Sequence, residues 1–246
     1  MEANLAISVE IHLKNGKYRG KLWKLIHVFM ANIRHKEKKL LFNLSNRQRD
    51  ILIGSLLGDA NAHQKGNECR MFFKHAANQL PLLVWKRQEF ESITGMAINR
   101  FKQKVKGRWY EFGQFVTLTH SSFTELRKMF YRGRKKIVPK NIFSLLKTPL
   151  SLAVWIMDDG AKDNAGLTIQ THNFSREEVK KLAKVLKENF KLVATLRKNK
   201  GKTILYFPQS QISDLWKIVL SYVLPEYKYK FPETRRDYTP SALLRG

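Results

Sequence analysis

Two aspartates carry the chemistry that this sequence offers most openly. Asp59 closes the segment "RDILIGSLLGDAN" (Arg49 to Asn61), and Asp159 closes "LSLAVWIMDDGAKDN" (Leu150 to Asn164). Both segments have apolar residues at helical spacing, so each acid falls at a helix C-terminus. A carboxylate is disfavoured there, because the last carbonyls already carry partial negative charge. A cation at the same place reverses that sign. Helix-end carbonyls with one aspartate oxygen are hard ligands suited to Mg2+, which keeps waters and takes phosphate oxygens as co-ligands. Either acid alone also reads as a turn residue, Asp59 in "GDAN" and Asp159 in "DDG". The recurrence 100 residues later argues for a site.

The elements that must position these acids repeat as well. After Asp59 come a strand-like "CRMFFKH", a helical "QLPLLVWKRQEFESI", the alternating "INRFKQKVKGRWYEF" and "FVTLTH", and a helical "SSFTELRKMFY". After Asp159 come "GLTIQTH", "SREEVKKLAKVLKENF", "LVATLRKNKGKTILYF" and "SQISDLWKIVLSYV". Each half therefore reads α-β-β-α-β-β-α. Ser175 and Glu178 form a capping box at the start of the second half's middle helix. Its counterpart begins near Asn78, with Pro81 in the first turn, where proline is tolerated. Three regions result: a basic helical extension over 1–46, a first half over 47–144, and a second half with a C-terminal tail over 145–246.

Composition narrows the partner. The chain of 246 residues is 43% hydrophobic and 11% aromatic, which is globular rather than disordered. A net charge of +26 repels itself unless a polyanion neutralises it, and nucleic acid is the commonest such partner. A ribosome-bound or simply soluble basic protein would share that charge. A single cysteine, Cys69, excludes an internal disulfide and reads as a small core or strand residue. No apolar run reaches the roughly 20 residues of a membrane span, so no membrane partner is expected. "MEANLAISVEIHLKNG", with Glu2 and Glu10, does not read as a targeting peptide.

Basic strands supply a surface for that polyanion. Arg100, Lys102, Lys104, Lys106 and Arg108 recur at every second position and, in one strand, would share a face. In the second half "RKNKGK" surrounds a hairpin tip at Asn199 to Gly201, with Arg197, Asn199 and Lys202 poised to read or grip DNA.

"LIGSLLGDA" (Leu52 to Ala60) and "LAVWIMDDG" (Leu152 to Gly160) resemble the two signature motifs of single-chain LAGLIDADG homing endonucleases, over about residues 47 to 232. The likeness is strongest to the subgroup of the yeast mitochondrial omega nuclease. It implies an α+β fold of two pseudo-twofold related αββαββα repeats, with a saddle of antiparallel sheets for DNA. It also implies a Mg2+-dependent DNA endonuclease, with Mn2+ as a substitute, cutting both strands of a long nonpalindromic site for intron homing. Mapped onto this chain, the metal acids are Asp59 and Asp159, assisted by the backbone carbonyls of Gly58 and Asp158. Asp158 stands at the motif's small-residue position, and its side chain is given no part. Ala60 replaces the first motif's terminal glycine, and Val154 the glycine of the family name. Helix approach is then expected to rest on Gly54, Gly58 and Ala153. "RKKIVPKN" and "YKYKFPE" resemble the family's basic motifs and place catalytic lysines at Lys136 and Lys230. The resemblance further implies a monomer acting on double-stranded DNA and, for a eukaryotic host, an organelle, mitochondrion or chloroplast; the sequence itself leaves the compartment open.

Two rivals share the fold. An intron RNA maturase would bind host intron RNA and has no need of both acids; a transcription regulator would have lost them. "THN" at His172 hints at an HNH nuclease, but no second metal histidine follows at suitable spacing. His75 and His172, each ending a strand before a helix, read as structural residues near the nucleic acid.

Overall fold

The computed structural model describes residues 21–232. The first 20 residues of the expected extension and the tail from 233 lie outside them. Helix α1 (Lys21–Leu41) belongs to a segment that ends at Asn43, and a separate compact body begins at Leu44.

Within the body, the chain order is the one that the apolar pattern predicts. The first half runs α2 (Asn46–Leu57), β1 (Asn61–Lys65), β2 (Glu68–Ala76), α3 (Leu80–Glu89), β3 (Asn99–Val105), β4 (Arg108–Val116) and α4 (Ser121–Phe130). A short hairpin, β5 (Tyr131–Arg132) with β6 (Lys135–Lys136), and the single turn α5 (Ile142–Leu145) lead to the second half. That half runs α6 (Pro149–Asp159), β7 (Gly160–Asp163), β8 (Gly166–Ile169), α7 (Arg176–Phe190), β9 (Thr195–Asn199), β10 (Lys202–Phe207) and α8 (Gln209–Val219). Two four-stranded antiparallel sheets result, ordered β1-β2-β4-β3 and β7-β8-β10-β9. The repetition read from sequence is thus a repetition of topology.

Helices α2 and α6 pack on each other at the join of the halves. Ser45 and Gln48 cap α2 with a full capping box, and Thr148 caps α6, whose Pro149 sits in the first turn. Both helices are buried on all sides along their apolar stretch, from Ile51 to Leu57 and from Leu150 to Asp158. Small residues set the distance between them. A Cβ on Gly54 would fall 2.3 Å from the Ser151 oxygen and 2.8 Å from the Val154 Cβ. Val154 therefore fills the space that Gly54 leaves, and does not crowd the crossing. A Cβ on Gly58 would meet the Asp158 Cβ at 2.6 Å. Gly160 ends α6 beneath the Ile156 carbonyl, 2.5 Å from where its Cβ would be, and the chain passes directly into β7.

Candidate functional site

The cleft at the C-terminal ends of α2 and α6 gathers charge from both halves. Asp59 follows α2 and stands at its mouth with a 42% exposed side chain; Asp158 and Asp159 close α6. Lys136, delivered by β6, donates to the carbonyls on either side of Asp59, Gly58 at 2.7 Å and Ala60 at 2.8 Å. Lys230, in a 3-10 turn over Pro225–Lys230, donates to the carbonyls of Met157 at 2.5 Å and Asp158 at 3.0 Å. Each motif helix thus ends in an acid whose neighbouring carbonyls are gripped by a lysine. The lysines offset the negative ends of the two helix dipoles.

The carbonyls of Gly58 and Asp158, expected as ligands, are thus occupied by ammonium donors on one side, though a carbonyl has two lone pairs. A larger departure concerns the Asp158 side chain, which the sequence reading left idle. It is buried, with its oxygens 2.6 and 2.9 Å from the Lys86 Nζ of α3. Asp158 Oδ2 also accepts from the Asp59 main-chain N–H at 3.4 Å. His75, at the end of β2 and 3% exposed, lies 3.6 Å from Asp59 Oδ2 and 3.7 Å from Asp158 Oδ1. The sequence does carry a signal for Lys86. Leu82 and Leu83 of α3, with Phe90 just past its end, form a buried stripe, and Lys86 occupies the same stripe. Its buried partner, 72 residues away, is not visible in a linear reading.

Burial and mutual repulsion govern the protonation of this cluster. Desolvation, then the charge of Asp158, raises the Asp59 pKa to about 6. Desolvation, then the charges of Asp59 and Asp158, raises Asp159 well above the carboxylate range. Burial lowers Lys136 to about 8 and lowers Lys230 in the same direction. Burial, reinforced by the Lys86 charge, lowers His75 to about 4 and so keeps its imidazole neutral. Acids that resist ionisation because they are buried, and secondarily because they lie beside other carboxylates, suit a hard divalent cation, which would offset both costs. Asp59, Asp158 and Asp159 all line the cleft, a space of about 540 Å3 also bordered by Gln170, Tyr229 and Lys230; of the three, Asp158 alone has both carboxylate oxygens engaged by Lys86. Gln170 Oε1 is buried there with no hydrogen-bond partner.

The expected cationic ladder is differently arranged. Residues 100 to 108 do not form one strand: β3 ends at Val105, and Lys106 (φ 48°) with Gly107 (φ 85°) makes a two-residue turn into β4. Val105 pairs with Arg108, Lys104 with Trp109 and Lys102 with Glu111, so Arg108 falls on the face opposite Arg100, Lys102 and Lys104. The latter three share their face with Gly113, against whose missing Cβ the side chains of Leu80 and Leu83 of α3 are packed. They are exposed where the hairpin continues beyond its cover. The opposite, open face presents Arg70, Lys74, Gln103, Arg108 and Tyr110. Lys74 Nζ stands 4.3 Å from the Phe112 ring centre and donates to Gln103 Oε1 at 2.6 Å. In the second half the hairpin tip falls at Lys200 and Gly201, as the sequence indicates. Arg197, Asn199 and Lys202 share one face there, with the Arg197 guanidinium 3.1 Å from the Tyr206 ring centre. His172 follows β8, its Nε2 buried and without a hydrogen-bond partner.

Fold and site define a LAGLIDADG protein: the family profile of LAGLIDADG DNA endonucleases matches residues 49–215, and the chain belongs to that family. Among its relatives, the probable intron-encoded endonuclease 1 of Wickerhamomyces canadensis is 29% identical, over 78% of this chain and 87% of that protein. The cytochrome b mRNA maturase bI2 of Debaryomyces hansenii is 31% identical, over 76% of this chain and 74% of its own length. The solved structure of the homing endonuclease I-WcaI bound to its DNA recognition sequence superposes with a TM-score of 0.75 at 26% identity. It covers 89% of this chain and 96% of that one. No described helix is long and apolar enough to cross a membrane.

Proposed function

We propose that the protein is a monomeric, site-specific homing endonuclease that makes a double-strand break in a long nonpalindromic DNA target by Mg2+-dependent phosphodiester hydrolysis. The observation that carries this reading is the pair of helix ends, each with an acid open to one cleft and a lysine on the adjoining carbonyls. Asp59 and Asp159 would hold the metal, with the Gly58 and Asp158 carbonyls beside them. Mg2+ in that place, or Mn2+ in its stead, supplies charge stabilisation and an activated water. Lys136 and Lys230 each spend two of three ammonium donors on main-chain carbonyls, which leaves one to offset charge developing on a scissile phosphate. The sheet faces bearing Arg70, Lys74 and Arg108 in one half, and Arg197, Asn199 and Lys202 in the other, form the DNA surface in this reading. Two related but unequal halves, 47–144 and 145–246, suit an asymmetric target, and the mitochondrion or another organelle is the expected compartment. Asp59→Asn and Asp159→Asn test the assignment: each should abolish plasmid cleavage with Mg2+ while DNA binding persists.

A second reading, intron RNA maturase, is favoured by the maturase at 31% identity. The retained acids weigh toward cleavage, because RNA binding alone does not require them. Splicing of the host intron with and without the protein separates the two activities.

A further inference from the structure

Lys86 is out of place by every ordinary criterion. It is 0% exposed, and its stem lies in the apolar stripe of α3. Lysine is almost never fully buried unless it is paired. Here the partner is Asp158, whose side chain is 0% exposed and engages the ammonium with both oxygens. The aromatic ring of Phe73 closes another side, 5.8 Å from Nζ. Asp158 in turn occupies the space that Gly58 leaves and touches the Asp59 main chain. One face of the pair therefore borders the cleft. Next to it stands His75, and one ligand atom each from Asp59, His75 and Asp158 lies within 4.8 Å of the others. Three such ligands, two carboxylates and an imidazole, are a set that borderline divalent ions such as Co2+ and Zn2+ take readily. With Lys86 in position, both oxygens of Asp158 are already committed to a cation.

We propose that Lys86 is a built-in cation that keeps Asp158 out of metal binding, so that divalent ions are held by Asp59 and Asp159 and not trapped with His75. Lys86 is a positioning residue: it touches neither substrate nor metal, and acts through Asp158 and the Asp59 main chain. The inference rests on the proposed metal role of Asp59 and Asp159. It nevertheless predicts a property of the protein without DNA, and so fails or stands separately from the cleavage reading.

Removing the ammonium should turn Asp158, His75 and Asp59 into a metal trap. The full chain carrying Lys86→Met is melted with and without Co2+ and compared with the native chain. At roughly one hundred times Kd, Co2+ should raise the variant's melting temperature by about 5 °C or more beyond any effect on the native chain. A visible Co2+ absorption band with nitrogen ligation should accompany the shift. Both signals should vanish in Lys86→Met/Asp158→Asn and in Lys86→Met/His75→Asn. Cleavage by Lys86→Met in Mg2+ should fall at least about tenfold. A variant that takes up Co2+ no better than the native chain would overturn the proposal. So would uptake that survives loss of Asp158 or His75. Failure to fold at saturating Co2+ would also count against it, because the divalent ion should take the ammonium's place.

Discussion

The ends of the two motif helices have the same plan and different solutions. At the end of α2 the residue before the acid is Gly58; at the end of α6 it is Asp158, and the glycine exists to receive it. The first half also supplies Lys86 and His75 against that aspartate, whereas the residue 100 positions after Lys86 is a buried Leu186. A duplicated topology therefore does not mean a duplicated site. The parts common to both ends, an acid with a lysine on nearby carbonyls (Gly58 and Ala60 around Asp59, Met157 and Asp158 before Asp159), are the parts that cleavage of two strands would use. The part without a counterpart, Lys86 with Asp158, lies off the symmetry, and in the proposal above it governs which oxygens are left for a metal.

Substitutions can break that comparison at graded cost. The largest effect should come from the acids: Asp59→Asn or Asp159→Asn should lower double-strand cleavage by at least about a thousandfold, measured on a target plasmid with Mg2+. Melting temperature should change little, since an amide of the same shape replaces an acid that already resists ionisation. Next come the lysines. Lys136→Met and Lys230→Met should each reduce the cleavage rate by about ten- to a hundredfold. Lys230→Met should also unfold more readily, because Lys230 is 5% exposed while Lys136 is partly open. Equal stability of the two variants would remove that distinction.

The helix crossing is the next test. Gly54→Ala places a methyl against the Ser151 carbonyl, which is backbone and cannot swing aside. It should destabilise the body by about 1 to 3 kcal/mol in thermal or urea unfolding. A neutral Gly54→Ala would mean that the two helices are not held at this spacing.

The pH profile tests the same cluster more gently. Asp59 is protonated below about 6 and cannot then ligate a cation, and Lys136 loses its proton above about 8. At limiting Mg2+, cleavage should therefore rise through pH about 6 and fall above about 8. Raising Mg2+ should move the acid limb to lower pH, because metal and proton compete for one oxygen pair. The smallest effect belongs to the surface. Arg108→Ala and Arg197→Ala should each reduce the salt dependence of DNA affinity by about one unit of slope, and Lys102→Ala by less.

These outcomes reflect what could be read in the chain. The order of elements was legible because apolar periods of 3.6 and 2 alternate cleanly, with Ser175 and Pro81 at helix starts. Motif position makes Asp59, Asp159, Lys136 and Lys230 candidates; the structure sets Asp59, Asp159 and Lys230 on one cleft and Lys136 on the carbonyls either side of Asp59. The first basic hairpin is hidden in the sequence, because "KVKGR" continues the alternation of charge straight through a turn. Lys106 and Gly107 reverse the chain there, and the reversal moves Arg108 to the other face. Asn199 to Gly201 gave the same kind of turn away, because a more recognisable turn triplet marks it. Lys86 is half legible, since its helical spacing puts it in the buried stripe of α3, but its pairing with Asp158 is not, because only contact between the halves brings the two together.

The central claim, that both motif helices end in acids required for cutting DNA, has one direct test. A DNA target is first selected with the native protein from a randomised library, and strand breaks are then scored on a supercoiled plasmid carrying it. Native protein with Mg2+ should give linear product, and Asp59→Asn and Asp159→Asn should bind the target without linearising it. Linear product from either variant, or no selected target while the protein promotes splicing of its intron RNA, would contradict the account.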